Sequence, residues 1–200
     1  MRNSRLLKYM FCLAVLFLIL CRTTQAQQKE KTAARTVITA RTLEYEYKRY
    51  VAIFEKDVHI VDPMLDVKAE RLVVLFDEEG SIKSATATGA VELFHENSKG
   101  SCQKAIYMVK EGEVILLGAV VLSNGDRVAT ADRADYYVKT GEAKLTGNAV
   151  LKRPDDSVRA DEVIFQLEKG DIRSVRARGN VSMEHKESGQ GSKQIFLPAQ

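Results

Sequence analysis

The chain has 200 residues, 45% of them hydrophobic, with no tryptophan and a formal net charge of +3 from 30 Lys+Arg and 27 Asp+Glu. That length suits one domain with a substantial core, and the recurrence of β-branched and other apolar residues excludes a chain disordered throughout. The basic excess is local: residues 1–26 hold Arg2, Arg5, Lys8 and Arg22 and no acid, which leaves 26 basic and 27 acidic side chains beyond them. With no Lys/Arg block and little aromatic interleaving in that remainder, a nucleic-acid surface is not indicated.

In chain order, Arg2, Arg5 and Lys8 precede an apolar run from Met10 to Leu20. This is the layout of a secretory signal, and the run is shorter than the roughly 20 residues that cross a bilayer. Small residues around Thr24-Gln25-Ala26 predict cleavage after Ala26. Retention of the segment as a membrane anchor is the main rival. Lipidation at Cys21 is disfavoured by Leu20, because the residue before a lipidated cysteine is normally small. Loss of residues 1–26 also removes Cys12 and Cys21, so Cys102 stands alone and no internal disulfide can form. Residues 27–35 read as a polar linker, 36–185 as the folded domain, and 186–200 as a flexible tail with a Gly/Ser-rich start.

The domain is repetitive. Gly89-Ala90-Val91, Gly118-Ala119-Val120, Gly147-Asn148-Ala149 and Gly179-Asn180-Val181 recur at intervals of 29, 29 and 32 residues, and Lys56-Asp57-Val58 is a degenerate first copy. A second signature precedes each: Ala40 to Leu43, Ala69 to Leu72, Cys102 to Ala105, Ala131 to Ala134 and Ala160 to Val163. Five units thus run from Ile38 to His185. Within a unit the apolar residues alternate, which selects strand over helix. Turn signals at Glu78-Glu79-Gly80, Lys110-Glu111-Gly112, Lys139-Thr140-Gly141 and Lys169-Gly170-Asp171 predict hairpins. Longer joins are expected at Val61-Asp62-Pro63, Asn97 to Gly100, Ser123-Asn124-Gly125 and Pro154-Asp155-Asp156. The Ala-x-x-apolar step shifts the alternation by one residue and predicts a bulge or corner.

Ten or more antiparallel strands with one apolar face each cannot stand as a flat open layer, so the faces must meet as a sandwich, jelly roll or roll-like barrel, or stack as a β-solenoid. The alternation sends Phe54, Val58, Ile60, Val91, Leu93, Tyr107, Val120, Leu122, Tyr136, Leu145, Leu151, Phe165, Val181 and Met183 to one interior face. The two chain ends of such a sheet, near Thr36 to Glu46 and Val175 to His185, present unpaired backbone and predict edge-to-edge self-association.

Catalytic and metal chemistry find no matching pattern. His59, His95 and His185 are the only histidines and show no ligand spacing. The last two read as strand-end residues near solvent. Asp132 with Asp135, and Asp161 with Glu162, read as outward charges facing Arg133, Arg159 or Arg176. Cys102 occupies a slot that alanine fills elsewhere and reads as small-residue packing. No Lys-Ser/Thr follows the repeat glycines, so they are not a phosphate loop. No catalytic residue, metal or cofactor is predicted.

The strings Ala131-Asp132-Arg133-Ala134-Asp135-Tyr136, Leu145-Thr146-Gly147-Asn148-Ala149-Val150-Leu151 and Val158-Arg159-Ala160-Asp161 give the stretch from Val128 to Val181 a resemblance to the OstA-like family. The earlier repeats match more loosely. The resemblance implies an all-β, twisted antiparallel jelly roll of repeated two-strand units that binds lipopolysaccharide, holding lipid A acyl chains on the interior residues named above. It also implies a periplasmic location and assembly with inner-membrane and outer-membrane components of a lipopolysaccharide-transport machine. Three readings stay open: a soluble shuttle or bridge, a membrane-anchored sister component of the same machine, and a ligand-free structural β-solenoid.

Overall fold

The computed structural model describes residues 36–62, 65–168 and 171–186. The expected signal segment, the linker at 27–35 and the tail beyond Lys186 lie outside the described residues. Among those described, every regular element is a strand: β1 (Val37–Thr39), β2 (Thr42–Glu46), β3 (Val51–Asp62), β4 (Leu65–Phe76), β5 (Ile82–His95), β6 (Ser98–Met108), β7 (Glu113–Asn124), β8 (Arg127–Tyr137), β9 (Glu142–Lys152), β10 (Asp156–Glu168), β11 (Asp171–Arg178) and β12 (Ser182–His185). They form one antiparallel sheet of 12 strands. From β3 to β10 each strand pairs with its chain neighbours; β1 and β2 both lie along β3, and β11 and β12 both lie along β10.

Period-two alternation makes these segments strands, and turn chemistry joins them. At the end of β4, Asp77 Oδ1 accepts hydrogen bonds from the backbone N–H of Glu79 (3.1 Å) and of Ser81 (2.7 Å), which closes the Glu78-Glu79-Gly80 turn. Two of the joins expected to be longer are tight instead. His95 pairs with Ser98 and Asn124 with Arg127, leaving two-residue turns at Glu96-Asn97 and Gly125-Asp126. Glu96 and Gly125 supply the positive φ (50° and 59°) that such hairpins need.

A line of bulges crosses the sheet at mid-strand. Lys56-Asp57, Gly89-Ala90, Gly118-Ala119 and Gly147-Asn148 on the odd strands, and Gly179-Asn180 between β11 and β12, all have positive φ at both residues. Each pair lies opposite one residue of the even neighbours, in turn Glu70, Gln103, Asp132 and Asp161, where the strand register shifts. Two residues against one bends the sheet. Glycine is required by close approach as well as by φ: a Cβ on Gly147 would stand 2.5 Å from Asp132 Oδ2 and 2.9 Å from Asp132 Cβ. The same carboxylate accepts a hydrogen bond from Asn148 Nδ2 at 2.9 Å, and Asp161 accepts one from Asn180 at 3.0 Å. The degenerate first copy keeps this conformation without glycine, and there Asp57 pairs with Arg41.

The bend divides every long strand between two leaves. The first leaf holds 51–55, 71–76, 82–88, 104–108, 113–117, 133–137, 142–146, 162–168 and 171–178. The second holds 58–62, 65–69, 91–95, 98–102, 120–124, 127–131, 149–152, 156–160 and 182–185. Strands that are not bonded neighbours keep their Cα atoms more than 8 Å apart, so between the leaves only side chains meet, as in packed sheets about 10 Å apart. Buried residues of both leaves form one cluster, with Leu72, Leu145 and Val163 from the first and Val67 and Leu151 from the second. A flat sheet would leave this face bare. The bend is therefore what gives the expected roll its interior.

Candidate functional site

Cross-strand register turns the interior face into continuous ladders. In the second leaf Ile60, Val67, Leu93, Gly100, Leu122, Ala129, Leu151, Val158 and Met183 are successive partners from β3 to β12. In the first leaf Leu43, Phe54, Leu72, Ala87, Ala105, Leu116, Ala134, Leu145, Val163 and Ala177 form the row nearer the bend. Tyr45, Ala52, Val74, Ala85, Tyr107, Val114, Tyr136, Ala143, Phe165 and Val175 form the row nearer the free end. Each row is apolar throughout, so the strip between the leaves runs the whole width of the sheet.

The 14 residues expected on this face all lie in these rows or along the bend, but their surroundings differ. Val58, Val91, Val120 and Leu145 are sealed, at 0–2% exposure, and Leu151 and Phe165 are also buried. Phe54, Ile60, Leu93, Leu122 and Tyr136 are half-buried, and Tyr107 is 40% exposed. Val181 and Met183 are exposed, at 53% and 64%, because among the described residues the last strands have no neighbour beyond them.

Opposite the bend the leaves end in two lips of different chemistry. The first leaf ends in apolar residues on its interior face, with Ile82, Val109 and Val138 exposed and Ile172 packed on the core. The second leaf ends in polar ones apart from Leu65. Alternation from Ala129 and Leu151 puts Arg127 and Arg153 on the interior face at its tip, near Asn124, whose side chain donates to Ser98 Oγ at 2.9 Å. Arg127 and Arg153 share a cavity of about 330 Å³ with Ile172, Arg173, Ser174 and Val175 of β11. Sequence reasoning missed these arginines as site residues, although the phase of Ala129 and Leu151 already places two of them.

The outer face of the first leaf carries an ordered charge network. Arg133 donates to both oxygens of Asp135, at 2.8 and 2.9 Å from Nε, and Asp135 is 5% exposed although it faces away from the interior. That hydrogen bond holds the Arg133 guanidinium above its ordinary pKa. Lys144 Nζ lies 2.5 Å from Glu162, which raises the lysine pKa in the same way, and Arg178 adds a second contact to Glu162 at 3.6 Å. These are structural pairs, the first within β8 and the other two between neighbouring strands. Cys102 is buried in the bend row opposite Val91, and burial pushes its thiol pKa up, so it has the character of packing and not of a nucleophile. His95 and His185 stand exposed at the ends of β5 and β12, as expected of strand-end residues. Among the described residues no group of three or more His, Cys, Asp and Glu is arranged to hold a metal ion. A second hollow, of about 390 Å³, lies at the bend between β3, β4 and β5 and is lined by Asp57, His59, Lys68 and Glu70 in mixed sign.

A family model described as LptA/(LptD N-terminal domain) LPS transport protein matches residues 37–129 and 119–171, overlapping windows of the kind that a repetitive chain produces. No curated protein matches the chain significantly. Among solved structures, LptH of Pseudomonas aeruginosa, described as the LptA-homologous periplasmic component of the conserved lipopolysaccharide transport device, aligns at 14% identity and a TM-score of 0.34. That alignment covers 76% of this chain and 96% of that one.

Proposed function

The chain belongs to the LptA/(LptD N-terminal domain) LPS transport protein family, and on that premise we propose that it is a periplasmic, non-enzymatic carrier that holds the acyl chains of lipopolysaccharide between its two leaves. The observation that carries this reading is the apolar strip: it runs unbroken from β3 to β10, sealed along the bend and open at the lips. An acyl chain laid along such a strip leaves water at about 0.8 kcal/mol per methylene. The ligand surface is the half-buried set of Phe54, Ile60, Leu93, Leu122 and Tyr136 with Tyr107. Val58, Val91, Val120, Leu145, Leu151 and Phe165 are the packed floor beneath it, and Val181 and Met183 continue the surface to the β12 edge. The unpaired edges at β1/β2 and β11/β12 suit strand addition, by a further copy or by the membrane-bound components of the transport machine, which is how a bridge would be built.

Photocrosslinking in cells tests the reading. A crosslinker at Leu93, Leu122 or Met183 should trap lipopolysaccharide, and one at the outward positions Lys144, Asn148 or Ser182 should not. Equal labelling of both faces would overturn the ligand surface, and no inward labelling in a folded, exported protein would favour the structural solenoid. A mature N-terminus at Gln27 in the periplasmic fraction supports the soluble carrier, whereas residues 1–26 found intact in the membrane would make it the anchored sister. Light scattering should show concentration-dependent oligomers that Val181→Pro reduces.

A further inference from the structure

We propose that Arg127, Arg153 and Arg173 form a phosphate-binding site at the lip of the interior, which anchors the phosphorylated head of an acylated ligand while its chains lie between the leaves. This rests on the carrier reading and adds the part of the ligand which that reading leaves unassigned. The three arginines come from separate places in the chain. Arg127 begins β8, Arg153 follows β9, and Arg173 is the unpaired extra residue of a bulge in β11, where Leu167 pairs with Ile172 and Gln166 with Ser174. Neither β8 nor the end of β9 is bonded to β11. They meet only because the sheet folds over, so one cavity of about 330 Å³ draws its walls from both leaves. A bulge that re-aims a single side chain toward such a junction is a common functional device.

The composition of that cavity selects the ligand class. Its lining residues are three arginines, one serine and the apolar Ile172 and Val175, with no acidic residue among them. Two of the arginines also have a carboxylate partner, Glu168 at 2.7 Å from Arg173 and Asp156 at 3.8 Å from Arg153, which a phosphate would join or displace, and Arg127 is the third. Guanidinium forks match the oxygens of a phosphate two at a time, which a lysine ammonium does not. Apolar side chains beside them, continuous with the interior strip, fit an amphiphile better than a free anion. The other lip positions of the second leaf, from Asp62 and Leu65 through His95 and Ser98, contain no arginine, so the site is confined to the β8–β11 part of the mouth.

The experiment compares two ligands that differ only in phosphate. Lipid A carrying its phosphates, and the same lipid with them removed, are offered in phosphatidylcholine vesicles to the chain beginning at Gln27, and the bound fraction is measured. The wild type should prefer the phosphorylated lipid by about tenfold. R127Q/R153Q/R173Q should lose that preference while binding the dephosphorylated lipid as before, and the triple lysine variant should recover part of it. R127Q alone, one exposed side chain, repeats the comparison if the triple variant melts early. A preference that survives in the glutamine variants, or no preference in a wild type that binds both lipids, overturns the site and leaves the carrier reading standing. Binding of neither lipid overturns both. Inorganic phosphate alone separates the remaining source: tight saturation that the triple variant abolishes would make this a free-phosphate site and overturn the lipid assignment.

Discussion

The bend and the mouth belong to one interior face, yet they are packed to different ends. Along the bend Val58, Val91, Val120 and Ala149 are sealed at 0–2% exposure, with small partners, Ala69, Cys102, Ala131 and Ala160, across the strand or one step away. At the mouth the same alternation continues into Tyr107, Val109 and Val138, of which Val138 is 52% exposed. The difference teaches that apolar phase by itself does not distinguish packing from binding. Coverage by the opposite leaf does, and it varies along the strip as well as with distance from the fold line: Val74 and Phe165, in the row nearer the free end, are buried at 1% and 6%, whereas Leu43, in the row nearer the bend, is 61% exposed.

Mutations that remove side chains at matched chemistry should separate the two regions most widely. Leu145→Ala, next to the bend and 1% exposed, should cost about 3 kcal/mol, within the usual range for a buried leucine. Leu122→Ala, half-buried toward the mouth, should cost about 1 kcal/mol or less and weaken lipid capture instead. Urea unfolding midpoints measure the first effect and vesicle extraction the second. Equal destabilisation by the two changes would mean that the mouth is as closed as the bend.

The fold line itself can be broken next. Gly147→Ala forces a side chain into positive φ and against Asp132, and should cost about 2 kcal/mol or more. Gly80→Ala shares the positive φ but meets nothing within 4 Å, so it should cost about 1 kcal/mol. Thermal melts of the pair isolate the close approach from the backbone conformation.

The smallest effect belongs to the outer face, which neither seals nor binds. Lys144→Met should change stability by no more than about 1 kcal/mol, and by less in high salt. Because Glu162 raises the lysine pKa in the folded state, the pair's contribution is present in full below the ordinary lysine pKa and fades as pH rises through the raised folded value. A pH series of melts on the wild type and Lys144→Met should therefore converge at strongly alkaline pH.

Much of this arrangement was legible in the sequence, and the reason is the repeat. Alternation fixed the strands and their inward phase, so Phe54, Leu93, Leu122 and Leu145 fall where expected. The Ala-x-x-apolar step marked the corner, because the residue between inward Ala131 and Ala134 that faces two bulged residues is Asp132. The tightness of the turns at 96–97 and 125–126 was hidden, since Ser98 and Arg127 look like loop residues until pairing with His95 and Asn124 is known. What a single strand cannot reveal is which inward residues the opposite leaf covers. Coverage is a property of the closed sheet, not of the local pattern. The lip arginines escaped for the same reason: Arg173 meets Arg127 only across the closed sheet.

Because every strand from β4 to β9 is bonded only to its chain neighbours, this protein also carries its own measure of length. Copying one unit would insert two strands beside their templates, with the same fold line, the same phase and the same lips, and would ask no other strand to change register. Each copy would lengthen the strip by two strand spacings, about 9.6 Å. Reach across a gap would then be an inherited count, adjusted by duplication and deletion in steps of that size instead of by redesign.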